Sequence, residues 1–406
     1  MNAPTPLPQL TPASSSDTTA HLGTARALLL VGTLRTGTSL AFVDAALARG
    51  FDVTIVTAPD DIPAGVFPPQ ARIVALPPDF DTVLAWIDAH YPQVRPLIVT
   101  TNEKYARLAS RLSEALGLPG PDAAKVAHYI AKSNQKRLFD EAGIRTPSSR
   151  IAALSELQQW QRQRQTGGGD LPFPIVVKPV EGLSSFGVAL CADASALQAY
   201  LNEHLNAFAG QRGDDETVLI EQFVAGPEYC VEFFDGAYVG AMLKRKAKGT
   251  RFIERGYSSD LELDDASLAA LIDAGRRAVA ASGLTWGPVH LDCIVHDGEP
   301  YIVELNARIA GSFICTIVKD AYGFDIVGAL LDRLEGRTVT LPGTFRPHRY
   351  ARVDFLLDDD PPLWAFSGSG RLHDDNLSVT YGAQVIPGRE RRAFIYTHHH
   401  TPARHP

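Results

Sequence analysis

The stretch VELNARIAG, Val303 to Gly311, alternates polar and apolar side chains. Glu304, Asn306 and Arg308 stand at every second position. Because successive side chains of a β-strand point to opposite faces, this spacing places the three polar groups on one face. We expect the other face to pack into the core through the intervening residues Val303, Leu305 and Ala307.

The preceding strand, VHLDCIV, supplies a further carboxylate at Asp292. A hairpin turning at Asp297-Gly298 would pair the two strands, and residues that are paired across a hairpin share a face. A two-residue loop opposes Asp292 to Val303, whereas a three-residue loop opposes it to Glu304. We therefore predict a three-residue loop, or a bulge of equal effect, that brings Asp292 and Glu304 together.

These side chains form a set with a recognisable chemistry. Asp292, Glu304 and Asn306 offer hard oxygen donors, which suit Mg²⁺ or Mn²⁺ better than zinc. Arg308 would lie over an anion that the metal holds. A metal, a carboxamide and a guanidinium around one anion are typical of phosphoryl transfer, in which catalysis is mostly positioning and charge neutralisation. The alternative is an ordinary polar sheet face exposed to solvent.

Upstream residues could bind the phosphates and the base of a nucleotide. The chain has no GxxxxGK[ST] motif, which excludes a Walker-type site. Lys178 ends the apolar run PIVVK, and the loop EGLSSFG that follows offers backbone and hydroxyl donors to phosphates. Glu221 and Glu228 flank QFVAGP, where one could bind an adenine amino group and the other a ribose. A plain surface hairpin with surface glutamates is the alternative.

The composition narrows the class of protein. A length of 406 residues predicts two to four domains, and a net charge of −8 argues against a general nucleic-acid binder. No stretch reaches the ~18 apolar residues that a membrane span needs. The four cysteines lie far apart beside apolar residues, which favours buried free thiols in a reducing cytoplasm.

The N-terminal part indicates a parallel sheet. Residues 25–59 follow a strand–helix–strand pattern, which is one βαβ unit. Its first turn, GTLRTG, is not GxGxxG, so an NAD(P)-dependent oxidoreductase has little support. We expect an α/β and α+β protein whose doubly wound N-terminal domain precedes a larger α+β region.

The strand–lysine–loop segment, then IEQFVAGPE, then D…VELNAR occur in an order that resembles the ATP-grasp superfamily. The resemblance runs from about residue 122 to 335 and implies ATP held between two lobes. It implies that Asp292, Glu304 and Asn306 bind two Mg²⁺ ions, with Mn²⁺ as an alternative. Arg308 would stabilise the acyl phosphate and the tetrahedral intermediate. The implied ATP-binding residues are Lys132, Lys178, Ser184, Ser185, Gly187, Glu221, Gln222, Phe223, Val224 and Glu228.

The resemblance also implies a division of the chain. The expected order is a disordered tail (1–25), an N-terminal α/β domain (26–121), a connecting helix broken near Ser133 (122–147), a lid lobe (148–222), a catalytic lobe (223–345), a strand-rich subdomain (346–396) and a second disordered tail (397–406).

The implied reaction is amide formation. ATP phosphorylates a carboxylate, an amine attacks the acyl phosphate, and ADP and phosphate leave. The segment 242–260 resembles one that borders the amino-acid site of bacterial L-amino-acid ligases, and the alternative is a solvated mobile loop. The expected substrate residues are Lys244, Arg245, Glu254, His290, Gly311 and Ser312.

Other functions fit parts of this pattern. A ligase resembling the formate-dependent glycinamide ribonucleotide formyltransferases shares the layout, and a non-catalytic nucleotide-binding scaffold is an alternative of another class. The expected partners are a small carboxylate and a small amine, with no nucleic acid and no membrane, and the pattern allows a homodimer.

Overall fold

The computed structural model describes most of the chain. The predicted tail 1–25 and the loop serines Ser184 and Ser185 lie outside the described part. The described residues are 26–33, 37–61, 66–153, 156–157, 171–180, 187–208, 217–247, 252–343, 346–357, 360, 377–383 and 391–399.

A parallel four-stranded sheet forms the N-terminal region, in the order β3-β2-β1-β4. The apolar run of β1 is fully buried, as expected for a strand covered on both faces. The strand order reverses between β1 and β4, and ligands of such sheets bind at this reversal, beyond the carboxyl ends of the strands. The elements are β1 (Ala27–Val31), α1 (Gly37–Ala48), β2 (Asp52–Thr57), β3 (Arg72–Ala75), α2 (Phe80–His90), β4 (Leu97–Val99) and α3 (Ala106–Ala115).

The predicted connecting helix is two helices, α4 (Ala123–Tyr129) and α5 (Lys132–Glu141). The break lies a few residues before the expected Ser133. Two side-chain amides of α5 explain its place, since Asn134 donates to the His128 carbonyl at 2.8 Å and Gln135 to the Tyr129 carbonyl at 2.6 Å. They satisfy carbonyls that the end of a helix leaves without partners.

A second sheet is small and antiparallel, with strand order β5-β8-β6-β7. Helix α6 covers it, and together they enclose a separate apolar cluster that includes Ile175, Val177 and Leu201. Its elements are β5 (Ser149–Ala153), β6 (Ile175–Pro179), β7 (Ala189–Cys191), α6 (Ala194–Phe208) and β8 (Thr217–Gln222).

An eight-stranded antiparallel sheet carries the largest core, in the order β13-β12-β9-β10-β11-β14-β16-β15. The predicted mixture of a parallel sheet and antiparallel sheets is therefore confirmed. The elements are β9 (Glu228–Phe234), β10 (Ala237–Lys246), β11 (Glu254–Ser258), α7 (Asp265–Ser282), β12 (Pro288–His296), β13 (Glu299–Asn306), α8 (Ile314–Tyr322), α9 (Ile326–Leu334), β14 (Ala351–Leu357), β15 (Leu377–Ala383) and β16 (Arg391–His399).

The C-terminal strands extend this sheet, so the region predicted as a strand-rich subdomain shares the sheet of the preceding region. Strand β14 pairs with β11, and Gly256 lies opposite Asp354. A Cβ at Gly256 would lie 2.0 Å from the Val353 carbonyl oxygen, so this close strand approach requires glycine. The predicted tail 397–406 is wrong at its start, because residues 397–399 belong to β16 and pair with both β14 and β15.

Candidate active site

The hairpin of β12 and β13 brings Asp292 opposite Glu304 and His290 opposite Asn306. The loop has two residues, Asp297 and Gly298, and not the three that the sequence favours. Both have positive φ, 50° and 79°, as in the tight turns that join antiparallel strands. A one-residue bulge at Val303 restores the register, and the prediction of a bulge of equal effect is thereby confirmed.

The bulge also moves one side chain from its predicted place. Val303 was expected to pack into the core, whereas it lines a cavity beside Glu304. The reason is that an extra residue interrupts the alternation of faces, so two successive residues of β13 reach the same side. Leu305 keeps its expected place in the core.

The cavity has a volume of about 400 Å³ and lies between the small antiparallel sheet and the eight-stranded sheet. A volume of roughly 300–1,000 Å³ is usual for small-molecule sites. Its walls include apolar side chains from both sheets, such as Val176, Leu190 and Ile294. The cavity brings together these predicted residues: Lys132, Lys178, Glu221, Gln222, Phe223, Val224, Glu228, Lys244, Asp292 and Glu304.

Four lysines line the cavity, namely Lys132, Lys178, Lys244 and Lys246. A wall that carries both ammonium groups and apolar side chains suits a ligand with anionic and apolar parts. Lys246 was not predicted as a site residue. Lys244 and Lys246 are two residues apart on β10, so their side chains lie on one face, and this spacing could have identified Lys246.

Glu221 is a buried carboxylate held by two lysines. Its Oε1 lies 2.7 Å from the Lys136 Nζ, and its Oε2 lies 2.7 Å from the Lys178 Nζ. Burial opposes ionisation, yet these lysines lower the pKa of Glu221 below its ordinary value. Each Glu221 oxygen thus lies beside a lysine ammonium group, so Glu221 orients Lys178 at the cavity wall, and its contact with an adenine amino group stays a prediction.

Lys136 was missed in the sequence although it lies four residues after Lys132, on the same face of α5. Burial lowers the pKa of Lys136 to about 8, against the opposing effect of Glu221. The hydroxyl of Thr146 lies 2.6 Å from its Nζ. Lys136 therefore supports Glu221 from below the cavity and does not line it.

Glu304 pairs with Lys132, whose Nζ lies 3.1 Å from the Glu304 Oε1. Burial lowers the pKa of Lys132, but the carboxylates of Glu304 and Glu103 outweigh it and raise the pKa above its ordinary value. The ammonium group of Lys132 is therefore fixed in its charged form beside the predicted metal ligand.

Lys244 lies among carboxylates from three strands. Its Nζ is 2.7 Å from Glu228, 2.9 Å from Asp292 and 3.8 Å from Glu254. Burial opposes the ionisation of Asp292, but the Lys244 ammonium group outweighs this effect and holds the pKa of Asp292 well below the usual range. Lys246 contacts Glu228 as well. The structure thus places Glu254 next to the cavity through Lys244, although Glu254 itself does not line it.

Asp292 belongs to a chain of buried polar groups in which His290 lies between Asp292 and Glu232. His290 Nδ1 lies 2.6 Å from the Glu232 Oε1, and its Nε2 lies 3.7 Å from the Asp292 Oδ1. Cys230 also approaches Asp292, at 3.6 Å. Burial keeps the pKa of the Cys230 thiol well above its ordinary value, so the thiol is a poor metal ligand. All four cysteines are free and buried, as predicted.

Arg308 lies outside the cavity, at the contact between β13 and the N-terminal sheet. Its Nη2 lies 3.0 Å from Glu103, which follows β4, and its Nη1 donates to the Ile309 carbonyl at 3.1 Å. Its Nε is buried and has no hydrogen-bond partner among the described residues. Sequence reasoning missed Glu103; its place at the carboxyl end of a parallel strand is the signal that would have found it.

Three further predicted substrate or nucleotide residues lie away from the cavity lining. Gly187 precedes the lining residue Val188 and accepts a hydrogen bond from the Tyr200 hydroxyl at 3.0 Å. Gly311 and Ser312 precede α8, and the Ser312 carbonyl accepts from the Thr38 backbone N–H at 2.6 Å. This bond joins the start of α1 to the region beyond Arg308.

Arg245, predicted as a substrate residue, does not line the cavity. Its Nη2 lies 2.6 Å from the Asp354 Oδ1 and 3.0 Å from the Val353 carbonyl oxygen. Alternation along β10 places Arg245 on the face opposite Lys244. It therefore joins β10 to β14 across the intervening strand β11.

Of the residues predicted as metal ligands, Asp292 and Glu304 line the cavity, whereas Asn306 does not. Asp292 and Glu304 lie opposite each other. The Lys244 ammonium group contacts Asp292 and the Lys132 ammonium group contacts Glu304, so each carboxylate has a cation beside it. The site offers hard oxygen donors and no ionised thiolate.

The comparisons with known proteins agree on one family. The ATP-grasp domain matches residues 171–316. A D-alanine–D-alanine ligase of Gloeobacter violaceus is 32% identical over 318 residues, which cover 72% of this chain and 91% of that protein. An alanine–anticapsin ligase of Bacillus subtilis is 23% identical over 286 residues, which cover 65% of this chain and 57% of that protein.

Coverage of the relatives is uneven. Besides the alanine–anticapsin ligase, several curated relatives are matched over only 55–60% of their length. Among solved structures, an L-amino acid ligase of Bacillus licheniformis has a TM-score of 0.74 at 23% identity, with 93% of this chain and 94% of that chain covered. At that identity the likeness is one of fold. No described helix has the length and apolar character of a membrane span.

Proposed function

Because the chain belongs to the ATP-grasp family, as its motif order predicted, we propose that it is an ATP-dependent carboxylate–amine ligase. It joins two small molecules through an acyl phosphate and releases ADP and phosphate. One observation carries the proposal: the cavity lined by four lysines contains both Asp292 and Glu304, on neighbouring strands. Such a site can hold a nucleotide polyphosphate beside a divalent cation.

Each group of cavity residues is assigned to one part of the nucleotide. Apolar side chains of both sheets hold the base, while Lys132 and Lys178 hold phosphate oxygens. Glu228 binds the ribose, and the support for this assignment is that Glu228 and Val224 line the same cavity. The backbone of Val224 offers its polar groups to the base, whereas the N–H groups of Gln222 and Phe223 already donate to the Ser148 and Pro174 carbonyls.

Asp292, Glu304 and Asn306 hold the divalent cations. Bound Mg²⁺ or Mn²⁺ neutralises phosphate charge and orients the transferred group. Lys132 and Lys244 lie next to these ligands and exchange their carboxylate contacts for phosphate contacts when ATP enters. The reaction requires no protein nucleophile, so positioning and charge neutralisation supply the catalysis.

Arg308 and the start of α8 stabilise the acyl group. The unpartnered Arg308 Nε is a donor for developing negative charge on the substrate oxygen. Backbone N–H groups at the start of α8, near Gly311 and Ser312, are further donors for a carboxylate or an oxyanion. The amine attacks the acyl carbon, the C–N bond forms, the C–O bond to phosphate breaks, and phosphate leaves with the proton that the amine nitrogen gives up.

Amino acids are the proposed substrate class. The related D-alanine–D-alanine ligase and alanine–anticapsin ligase each carry an amino acid in their names. In this chain Glu254 lies beside Lys244 and offers a carboxylate to an α-ammonium group.

The test is an ADP- and phosphate-release assay with ATP, Mg²⁺ and pairs of amino acids, followed by mass spectrometry of the product. The proposal predicts one ADP for each new amide bond. ATP binding without ADP release for any carboxylate would contradict it and favour the nucleotide-binding scaffold.

A further inference from the structure

Glu103 reaches the proposed catalytic strand from another part of the fold. It follows β4 of the parallel sheet and is largely buried, with 14% of its side chain exposed. Its Oε2 accepts from the Arg308 Nη2 at 3.0 Å. In the amide orientation that satisfies its surroundings, Asn306 Nδ2 donates to both Glu103 oxygens, at 3.0 and 3.1 Å. One carboxylate therefore contacts two successive polar residues of the VELNARIAG row.

The backbone around Glu103 holds this carboxylate in place. The Asn102 side chain accepts from the Lys104 N–H at 3.1 Å, and the Thr100 hydroxyl accepts from the Asn102 N–H at 3.0 Å. Tyr105, in the same turn, packs on Gly32, where a Cβ would lie 1.8 Å from its ring. These contacts fix the turn, so Glu103 is pre-organised before any ligand enters.

The contacts decide which atoms remain available. An amide has a donor end and an acceptor end, and Glu103 takes the donor end of Asn306. The amide oxygen, the end that can ligate a divalent cation, is left for the site. In the same way Glu103 takes one terminal nitrogen of Arg308 and the Ile309 carbonyl takes the other, while the Nε has no partner among the residues that the structure describes.

We propose that Glu103 is a positioning residue: its carboxylate orients the Asn306 amide for the metal and the Arg308 guanidinium for the acyl group. The inference rests on the proposed function of Asn306 and Arg308. It assigns the N-terminal sheet a part in the chemistry, since a residue at the edge of that sheet sets the geometry of β13. Partners that orient a metal ligand typically change metal affinity about 10–100-fold when they are removed.

The test uses the full chain with Glu103→Gln, which keeps the shape but presents an amide to two donors. Mn²⁺ binding in the presence of ADP is followed by electron paramagnetic resonance, and ADP release is followed in parallel. We expect Mn²⁺ affinity to fall at least ~10-fold and kcat to fall, with little change in the KM for ATP, because Glu103 does not line the nucleotide cavity.

Glu299→Gln is the matched control, because Glu299 is also paired with an arginine, Arg145, at 3.1 Å but on the exposed end of β13. It should leave Mn²⁺ affinity and kcat unchanged. Wild-type Mn²⁺ affinity in folded Glu103→Gln overturns the inference, as does an equal loss in Glu299→Gln.

If Glu103→Gln does not fold, Glu103→Asp keeps the charge and shortens the reach. Its Mn²⁺ affinity should also fall, and an unchanged value overturns the inference. The two arms separate the hypotheses: a wild-type chain that releases no ADP contradicts the proposed ligase, while the Mn²⁺ measurement still decides the role of Glu103.

Discussion

Asp292 stands directly opposite Glu304 although the turn between their strands has only two residues. An uninterrupted ladder from that turn would place Val303 opposite Asp292. The bulge at Val303 shifts the register by one, and a shift of one residue exchanges the two faces of a strand. The pairing of the proposed metal ligands therefore depends on a local irregularity as much as on the alternating pattern.

Glu304→Gln should lower kcat by about 100-fold or more, because it removes one carboxylate of the proposed metal site. The fold should persist, since Gln has nearly the same shape and Glu304 is only partly buried. ADP release measures the effect, and a thermal melt checks the fold. Wild-type turnover in a folded Glu304→Gln protein would remove Glu304 from the mechanism.

Lys244→Met and Arg245→Met should have different effects, although the residues are neighbours. Lys244→Met removes the cation among Glu228, Asp292 and Glu254 and should lower turnover at least ~10-fold. Arg245→Met removes the contact with Asp354 and should cost about 1 kcal/mol of stability while kcat/KM stays within about 3-fold of wild type. Urea unfolding and ADP release measure both. A large loss of kcat/KM in Arg245→Met would restore Arg245 to the substrate site.

Nucleotide affinity should fall as the pH rises through about 8. Burial lowers the pKa of Lys246 to about 8, while Asp292 and Glu254 oppose the shift and Lys178 adds to it. Below this pH Lys246 is charged and attracts phosphates, and above it the charge is lost. The Kd for ADP should therefore increase between pH 7 and 9, as calorimetry can measure.

Lys246→Arg is the control for this pH dependence, because arginine stays charged throughout that range. Its Kd for ADP should vary less between pH 7 and 9 than that of the wild type. An equal variation in both proteins would assign the titration to another group, such as Lys136, whose pKa is also about 8.

Gly298→Ala should destabilise the protein by roughly 1–2 kcal/mol, because Gly298 has φ of 79° and a Cβ disfavours this conformation. The nearest atom to the added Cβ is the Ser267 hydroxyl oxygen at 3.6 Å, so no clash adds to the cost. Activity at low temperature should persist because the bulge at Val303 is unchanged. Urea unfolding tests the first expectation, and an unaltered midpoint would show that the turn tolerates a side chain.

The sequence by itself determined the strand character of the first part of the VELNARIAG row, because alternation has a period of two wherever a strand is half buried; Val303 to Asn306 belong to β13, which ends before Arg308. It also determined the order of motifs, the parallel sheet from the βαβ unit, and the acids and three of the four lysines of the cavity. Each of these depends on local spacing or on residue type, which the linear chain records directly.

Only the tertiary structure decided which distant groups meet. Glu103 and Arg308 are 205 positions apart, and the contact depends on how the N-terminal sheet packs on β13. The same holds for the attachment of β14 to β11, which moved Arg245 from the expected substrate site to a strand contact. Contacts of this kind cannot be inferred from spacing along the chain, because they depend on how whole elements pack. The register of β13 depends in addition on the one extra residue at Val303.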